Sequence, residues 1–190
     1  ASFASAAPEI AVSALKVEDQ PRFAYRGMHL DAARNFQSKA SVLKLLDMMG
    51  HYKLNKLHFH FCDDEGWRIE IQSLPELTEL GSYRAFSLDE KEALLPSFGS
   101  GPNKTGHAGS GFYTRADFIE ILKYAKTRHI EVIPELDLPG HARAAIKSMT
   151  LRHDRLMKAG NQAEAKRFLL HDPNDESVYK SVQGWTDNTT

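Results

Sequence analysis

Three observations predict an α/β fold, a partial (β/α)8 TIM barrel holding its first three or so βα units. Strand-like and helix-like segments alternate three times along the 190 residues, which implies parallel strands joined by right-handed crossovers, with helices outside the sheet. Polar clusters lie at the strand ends, at Asp31 to Asn35, Asp63 to Glu65 and Glu135 to His141, where a barrel carries its chemistry. No glycine-rich phosphate loop follows the first strand, which counts against an open doubly wound sheet.

Residues 1–21 are Ala/Ser-rich, weakly patterned and end in the turn-like Asp19-Gln20-Pro21, so they read as a linker or the tail of an upstream domain. Residues 22–190 read as the N-terminal portion of the barrel domain. Tyr25 to Ala33 is the first strand. From Ser38, an N-cap residue, SKASVLKLLDMMGHYKL places Val42, Leu45, Leu46 and Met49 on one helix face. Lys56 to Cys62 is the second strand. Ser82 to Gly111, with Pro96, Pro102 and several glycines, reads as a long functional or mobile loop. Thr114 with Asp117 forms a capping-box pattern ahead of a stripe of Phe118, Ile121, Leu122 and Ala125. Ile130 to Leu138 is the third strand, in which Pro134 removes a ladder donor and is expected to weaken the pairing. A helical region from His141 to about Phe168, interrupted at Gly160, precedes a polar tail. A complete barrel needs roughly 250 residues, and three strands with an open edge leave half a core uncovered. The expectation is therefore a portion of a larger enzyme.

Composition narrows the partners. With 24 Lys+Arg against 25 Asp+Glu and 42 % hydrophobic residues, the chain has the make-up of a globular domain and no basic surplus for nucleic acid. A neutral or small substrate fits better. The lone Cys62 excludes an internal disulfide framework and a cysteine-rich zinc site. No stretch has the apolar length of a membrane span, and the N-terminus lacks the basic start of a signal peptide.

Four groups of residues could carry chemistry. Arg34, beside Asp31 and Asn35, offers a guanidinium fork to vicinal hydroxyls or a carboxylate, or forms a structural pair at a loop. His58, His60 and Cys62 alternate with Leu57, Phe59 and Phe61, so strand periodicity puts three metal-capable side chains on one face. A metal-dependent hydrolase using His58 and His60 is one alternative; packed structural histidines are the other. Asp63-Asp64-Glu65 with Trp67 combines carboxylates and an aromatic face, the pairing that holds pyranose rings, unless it is a solvated loop. Glu135 and Asp137 share one side of the third strand, and Pro139-Gly140 turns His141 into the next helix, where a carboxylate and an imidazole could form an orienting chain.

Taken in order, YRGMHLDAARNF, YKLNKLHFHFCDDEGWRIEI and GFYTRADFIEILKYAKTRHIEVIPELDLPGHARAA resemble the catalytic domain of β-N-acetylhexosaminidases of glycoside hydrolase family 20, the bacterial chitobiase branch in particular. The resemblance covers about Pro21 to Pro173. It implies a (β/α)8 barrel, no cofactor, and a retaining exo-hydrolase of terminal β-linked N-acetylhexosaminides such as chitobiose. It further implies a periplasmic, outer-membrane-associated or secreted location. Arg34 of the ARNF motif becomes the residue that grips hydroxyls of the terminal sugar. Asp63 and His141 of the PGH motif become the pair that supports the catalytic acid; Asp64, Glu65 and Trp67 match motif positions without a catalytic role. The resemblance also implies substrate-assisted catalysis, an exception to the two-carboxylate scheme, with an Asp-Glu pair in a His-x-Gly-Gly-Asp-Glu context. That context is absent: the Asp-Glu dipeptides at 64–65, 89–90 and 175–176 are not preceded by two glycines. The remaining strands of the barrel are thus an implied partner, and a non-catalytic sugar-binding fragment is a third alternative.

Overall fold

A computed structural model describes residues 13–174. The first twelve residues of the expected linker and the tail beyond 174, with its Asp175-Glu176 dipeptide, lie outside the described residues. Residues 13–22 run without helix or strand and are exposed.

The strands and main helices follow the expected order. β1 (Gly27–Asp31) leads to α1 (Lys39–His51), then β2 (Lys56–Asp63), a two-residue β3 (Gly66–Trp67) and a single turn, α2 (Glu76–Glu79). α3 (Arg115–Lys126), β4 (Glu131–Leu136) and α4 (Arg143–Lys158) follow, and α5 (Gln162–Ala165) closes the series with a 3-10 turn at Lys166–Phe168. β2 is central, parallel to β1 on one side and to β4 on the other. The sheet is mixed because β3 folds back antiparallel onto Cys62 and Asp63, a hairpin the sequence did not announce.

Local chemistry explains the boundaries. Ser38 and Thr114 cap α1 and α3 as expected, Thr114 and Asp117 through both halves of a capping box. α1 stops at His51, three residues earlier than its apolar pattern, because Lys53 takes a left-handed φ of 57° and the Leu54 N–H bonds back to Met49. His129, at φ 56°, ends α3 by the same device, with Ile130 bonded to Ala125. β1 is shorter than Tyr25 to Ala33 because Asp31 Oδ1 accepts the Arg34 N–H at 3.0 Å and turns the chain. Gly160, at φ 81°, breaks the last helical region as expected.

Pro134 does not weaken the pairing. The Glu131 N–H bonds to Asn55 at the start of β2, so odd-numbered residues of β4 face β2 and Pro134 turns its donorless nitrogen away from that partner. The ladder runs through Phe59 and Pro134, and the irregularity comes one step later, between His60 and Cys62.

Two cores result. Phe59 and Phe61 on one face of β2, with ring centroids 4.1 Å apart, pack with Val42, Leu46 and Met49 of α1 and Ile121 and Ala125 of α3. Each of the side chains larger than alanine contributes on the order of 1.5–3 kcal/mol by leaving water. Leu122, expected in that stripe, is exposed. Cys62, Trp67, Leu77, Leu80, Ala144, Ala145 and Met149 form the second core beneath α4. No helix among the described residues is long and apolar enough to cross a membrane.

Candidate active site

The site forms where β1, β2 and β4 end. The Asp31 turn swings Arg34 over the end of β2, and Asp31 Oδ2 also receives Arg34 Nη1 at 3.0 Å. Nη2 lies 2.6 Å from Asp63 Oδ2. Nε is 3.3 Å from Glu65 Oε2, off the line of a hydrogen bond. Three carboxylates thus surround one guanidinium whose side chain stays 26 % exposed, so the fork is rigid and still accessible. The loop-pair reading of Arg34 is half of what is found: Asp31 holds it, and Asp63 and Glu65 draw it into a cluster.

Asp63 is buried. Its Oδ1 accepts the Asp64 N–H at 2.7 Å and its Oδ2 lies 2.9 Å from His60 Nε2. Burial pushes its pKa up, but the His60 and Asp64 hydrogen bonds and the charges of Arg34 and His141 outweigh that and hold it below the usual carboxylate range. Asp64 does different work. Its Oδ1 accepts the Arg143 N–H and its Oδ2 lies 3.1 Å from His141 Nδ1, so it caps α4, whose own N-cap residue is Ala142 with no side-chain cap bond.

His141 precedes α4 at a left-handed φ of 53°, a strained position for a non-glycine residue. It reaches Asp63 Oδ1 at 3.7 Å and Asp64 at 3.1 Å. The structure therefore brings Arg34, Asp63 and His141 together, with Asp64 rather than Asp63 as the nearer partner of the imidazole.

Glu65 is buried beside this pair. Burial, then the Asp63 charge, push its carboxyl up to about 7 against the opposing pull of Arg34. The folded chain therefore keeps a proton that the unfolded chain releases above pH 4.5, so this group's stability contribution declines as pH rises from 4.5 to about 7. Glu65→Gln, uncharged at every pH, is expected to be more stable than wild type by about 2 kcal/mol at pH 8 and nearly level with it at pH 4.5. Urea titrations at the two pH values measure this, and a gap that stays constant would dismiss the buried-charge account.

The histidine face has its own centre. His60 and Glu135 are register partners on β2 and β4, so Glu135 Oε2 sits 3.1 Å from His60 Nδ1, 2.6 Å from His58 Nε2 and 3.6 Å from His29 Nε2. Glu135 thus pairs across the sheet and not with His141. Burial works against a charge on His60, yet the Asp63 hydrogen bond and the Asp31, Asp63 and Glu135 carboxylates raise its pKa. Donor atoms of His29, His60 and Glu135 lie within 4.8 Å of one another, close enough for a divalent cation, as do those of His60, Asp63 and Asp137 and of Asp63, Asp64 and His141. Cys62 shares the face of His58 and His60 by alternation but belongs to none of these groups among the described residues; it is sunk in the second core, where burial pushes its thiol up.

Two further expectations change. Trp67 is 5 % exposed in the second core, its indole N–H bonded to Ile69, so it is a packing residue and not a platform for a sugar. Arg68 and Arg84 carried no role in the sequence reading, yet both are fully buried. Arg68 donates to Ala32, Ala33, Ser82, Gly109 and Gly111 carbonyls, and Arg84 to Gly109. They tie the 82–111 loop to the turn that presents Arg34.

The comparisons with known proteins agree with one another. Residues 23–189 match the family model described as Glycosyl hydrolase family 20, catalytic domain. The N,N'-diacetylchitobiase of Vibrio harveyi is 57 % identical over 169 residues, covering 89 % of this chain and 19 % of that protein. A beta-hexosaminidase of Vibrio vulnificus is 48 % identical over 178 residues, covering 94 % of this chain and 21 % of its own length. Among solved structures, the GH20 exo-beta-N-acetylglucosaminidase from Vibrio harveyi in complex with N-acetylglucosamine superposes with a TM-score of 0.70 at 42 % identity, over 90 % of this chain and 23 % of that one. The chain spans about a fifth of the length of these relatives.

Proposed function

Since the chain belongs to glycosyl hydrolase family 20, we propose that it forms the first βα units of a barrel enzyme that removes terminal β-linked N-acetylglucosamine from chitobiose or related glycosides. The observation that carries this reading is the run of contacts at the strand ends from Arg34 to Asp63 at 2.6 Å, from Asp63 to His141 at 3.7 Å and from His141 to Asp64 at 3.1 Å. Nη1 is taken up by Asp31 at 3.0 Å and lies 3.3 Å from His60 Nε2, while the partly exposed Nη2, ion-paired with Asp63 at 2.6 Å, keeps donor capacity that suits a hydroxyl of a pyranose. The Vibrio harveyi structure in complex with N-acetylglucosamine supports a sugar of that class.

In this reading the acetamido oxygen of the substrate attacks its own anomeric carbon as the leaving oxygen departs, and water then opens the resulting oxazolinium ion from the other face, so the two inversions give net retention. The leaving oxygen is protonated by a glutamic acid that strands beyond these supply, because no Asp-Glu here follows two glycines. Asp63, held ionised, and His141 then lie behind that acid and stabilise its protonated and ionised forms in turn. The chain alone is expected to leave a chromogenic β-N-acetylglucosaminide intact, and the same segment joined to the rest of the barrel to cleave it; turnover by the chain alone would overturn the missing-acid reading. In the joined enzyme, Arg34→Ala should raise KM about tenfold with a smaller fall in kcat, as loss of a contact made in both ground and transition states does. Unchanged kinetics would remove Arg34 from the sugar site.

A further inference from the structure

His60 lies between the two carboxylates that organise the site. Its side chain is 3 % exposed, with Nε2 at 2.9 Å from Asp63 Oδ2 and 3.3 Å from Arg34 Nη1, and Nδ1 at 3.1 Å from Glu135 Oε2. On the opposite face of β2, Phe59 and Phe61 show what packing alone asks of this strand. An imidazole whose two nitrogens both face carboxylate oxygens is there for direction. Taking the proposed function as given, we infer that His60 is a positioning residue for the reaction, the middle of a Glu135–His60–Asp63 chain that turns Asp63 toward His141.

The atoms of Asp63 explain how. His60 and Arg34 both approach Oδ2, at 2.9 and 2.6 Å. Oδ1 is left to the Asp64 N–H at 2.7 Å and to His141 at 3.7 Å. Without His60, Asp63 keeps the Asp64 N–H on Oδ1 but has only Arg34 on Oδ2, and that partly exposed guanidinium draws Oδ2 with it when sugar binds. A second donor on Oδ2 removes that freedom. The far end of the chain is anchored, because His58 approaches the same Glu135 oxygen at 2.6 Å. The Glu135 link is a close ion pairing rather than an aligned hydrogen bond; the Asp63 link is the hydrogen bond, and shortening or misdirecting it breaks the effect.

Two amides of nearly equal size separate this role from packing, in the segment joined to the rest of the barrel. The nitrogen of a glutamine reaches the place of Nε2, whereas that of an asparagine reaches only the place of Nδ1. His60→Gln is expected to keep kcat within about fivefold of wild type, while His60→Asn and His60→Leu lose about thirtyfold or more with KM within about threefold. In an Asp63→Asn background, His60→Leu should cost nothing further, because a residue acting through Asp63 has nothing left to act on. Glu135→Gln, on the half-exposed side of β4, reads the same chain from its other end and is expected to lower kcat about fivefold without moving KM; it serves if the asparagine and leucine variants do not fold. Equal kinetics for the Gln and Asn variants, wild-type kcat for the Leu or Glu135 variants, or losses that multiply with Asp63→Asn would overturn the role of His60 alone. An inactive wild-type joined enzyme, or a fully active Asp63→Asn, would overturn the functional reading and this inference with it.

Discussion

Arg68→Met is expected to lower the unfolding free energy by about 3–5 kcal/mol, read from urea titrations at neutral pH. The side chain is 0 % exposed and donates to carbonyls of three separate segments: Ala32 at 3.0 Å and Ala33 at 2.9 Å, Ser82 at 2.8 Å, and Gly109 and Gly111 at 3.1 Å each. Burial, with Arg84 alongside, already lowers its pKa to about 9, so its place depends on those acceptors. Methionine fills similar space and supplies no donor, which leaves several buried carbonyls unsatisfied. Arg68→Lys should recover little, because one ammonium cannot reproduce a planar fork aimed in several directions. The loosened turn is the one that presents Arg34. A loss under about 1 kcal/mol would mean that water takes over the guanidinium's bonds, and the staple would not be what holds the loop.

Asp63→Asn carries the largest expected effect on turnover. In the segment joined to the remaining barrel, kcat should fall about a hundredfold or more, equivalent to about 2.7 kcal/mol, with a smaller change in KM. The amide has nearly the shape of the carboxylate but removes the negative charge that Arg34 and His60 approach at 2.6 and 2.9 Å. Arg34 and the buried His60 then compete for one neutral oxygen, and His141 faces an uncharged group. Circular dichroism at matched pH separates this from unfolding. A folded Asp63→Asn enzyme with kcat within threefold of wild type would remove Asp63 from the support of the acid.

The site was legible to the extent that its parts are neighbours in the chain. Arg34 with Asp31, and Asp63 with Asp64 and Glu65, stood out because charged residues packed at the end of an apolar strand have to be partnered or exposed. Partnering was another matter. Asp64 was seen as a motif position only, yet it holds His141 and the α4 N-terminus across 77 and 79 residues. Sequence proximity offers either Glu135 or Asp137 to His141, whereas register with β2 gives Glu135 to His60 and His58. Trp67 was read as a sugar platform because it follows three carboxylates; the tight return at Gly66, where an added Cβ would meet the Arg68 guanidinium at 2.5 Å, sends the indole into the core instead.

Sequence by itself settled what short-range physics governs: the helix starts at Ser38 and Thr114, the period-2 face of β2 that buries Phe59 and Phe61, the break at Gly160 and the family to which the motifs point. Capping, apolar periodicity and left-handed glycine act within a few residues, so the chain displays them directly. Only the tertiary structure decided which carboxylate meets which cation, because those pairs depend on strand register, on the β3 hairpin and on a buried arginine that joins segments 14 to 43 residues away from it. No local rule encodes such distances; the packed sheet sets them, and with them the direction in which Asp63 faces.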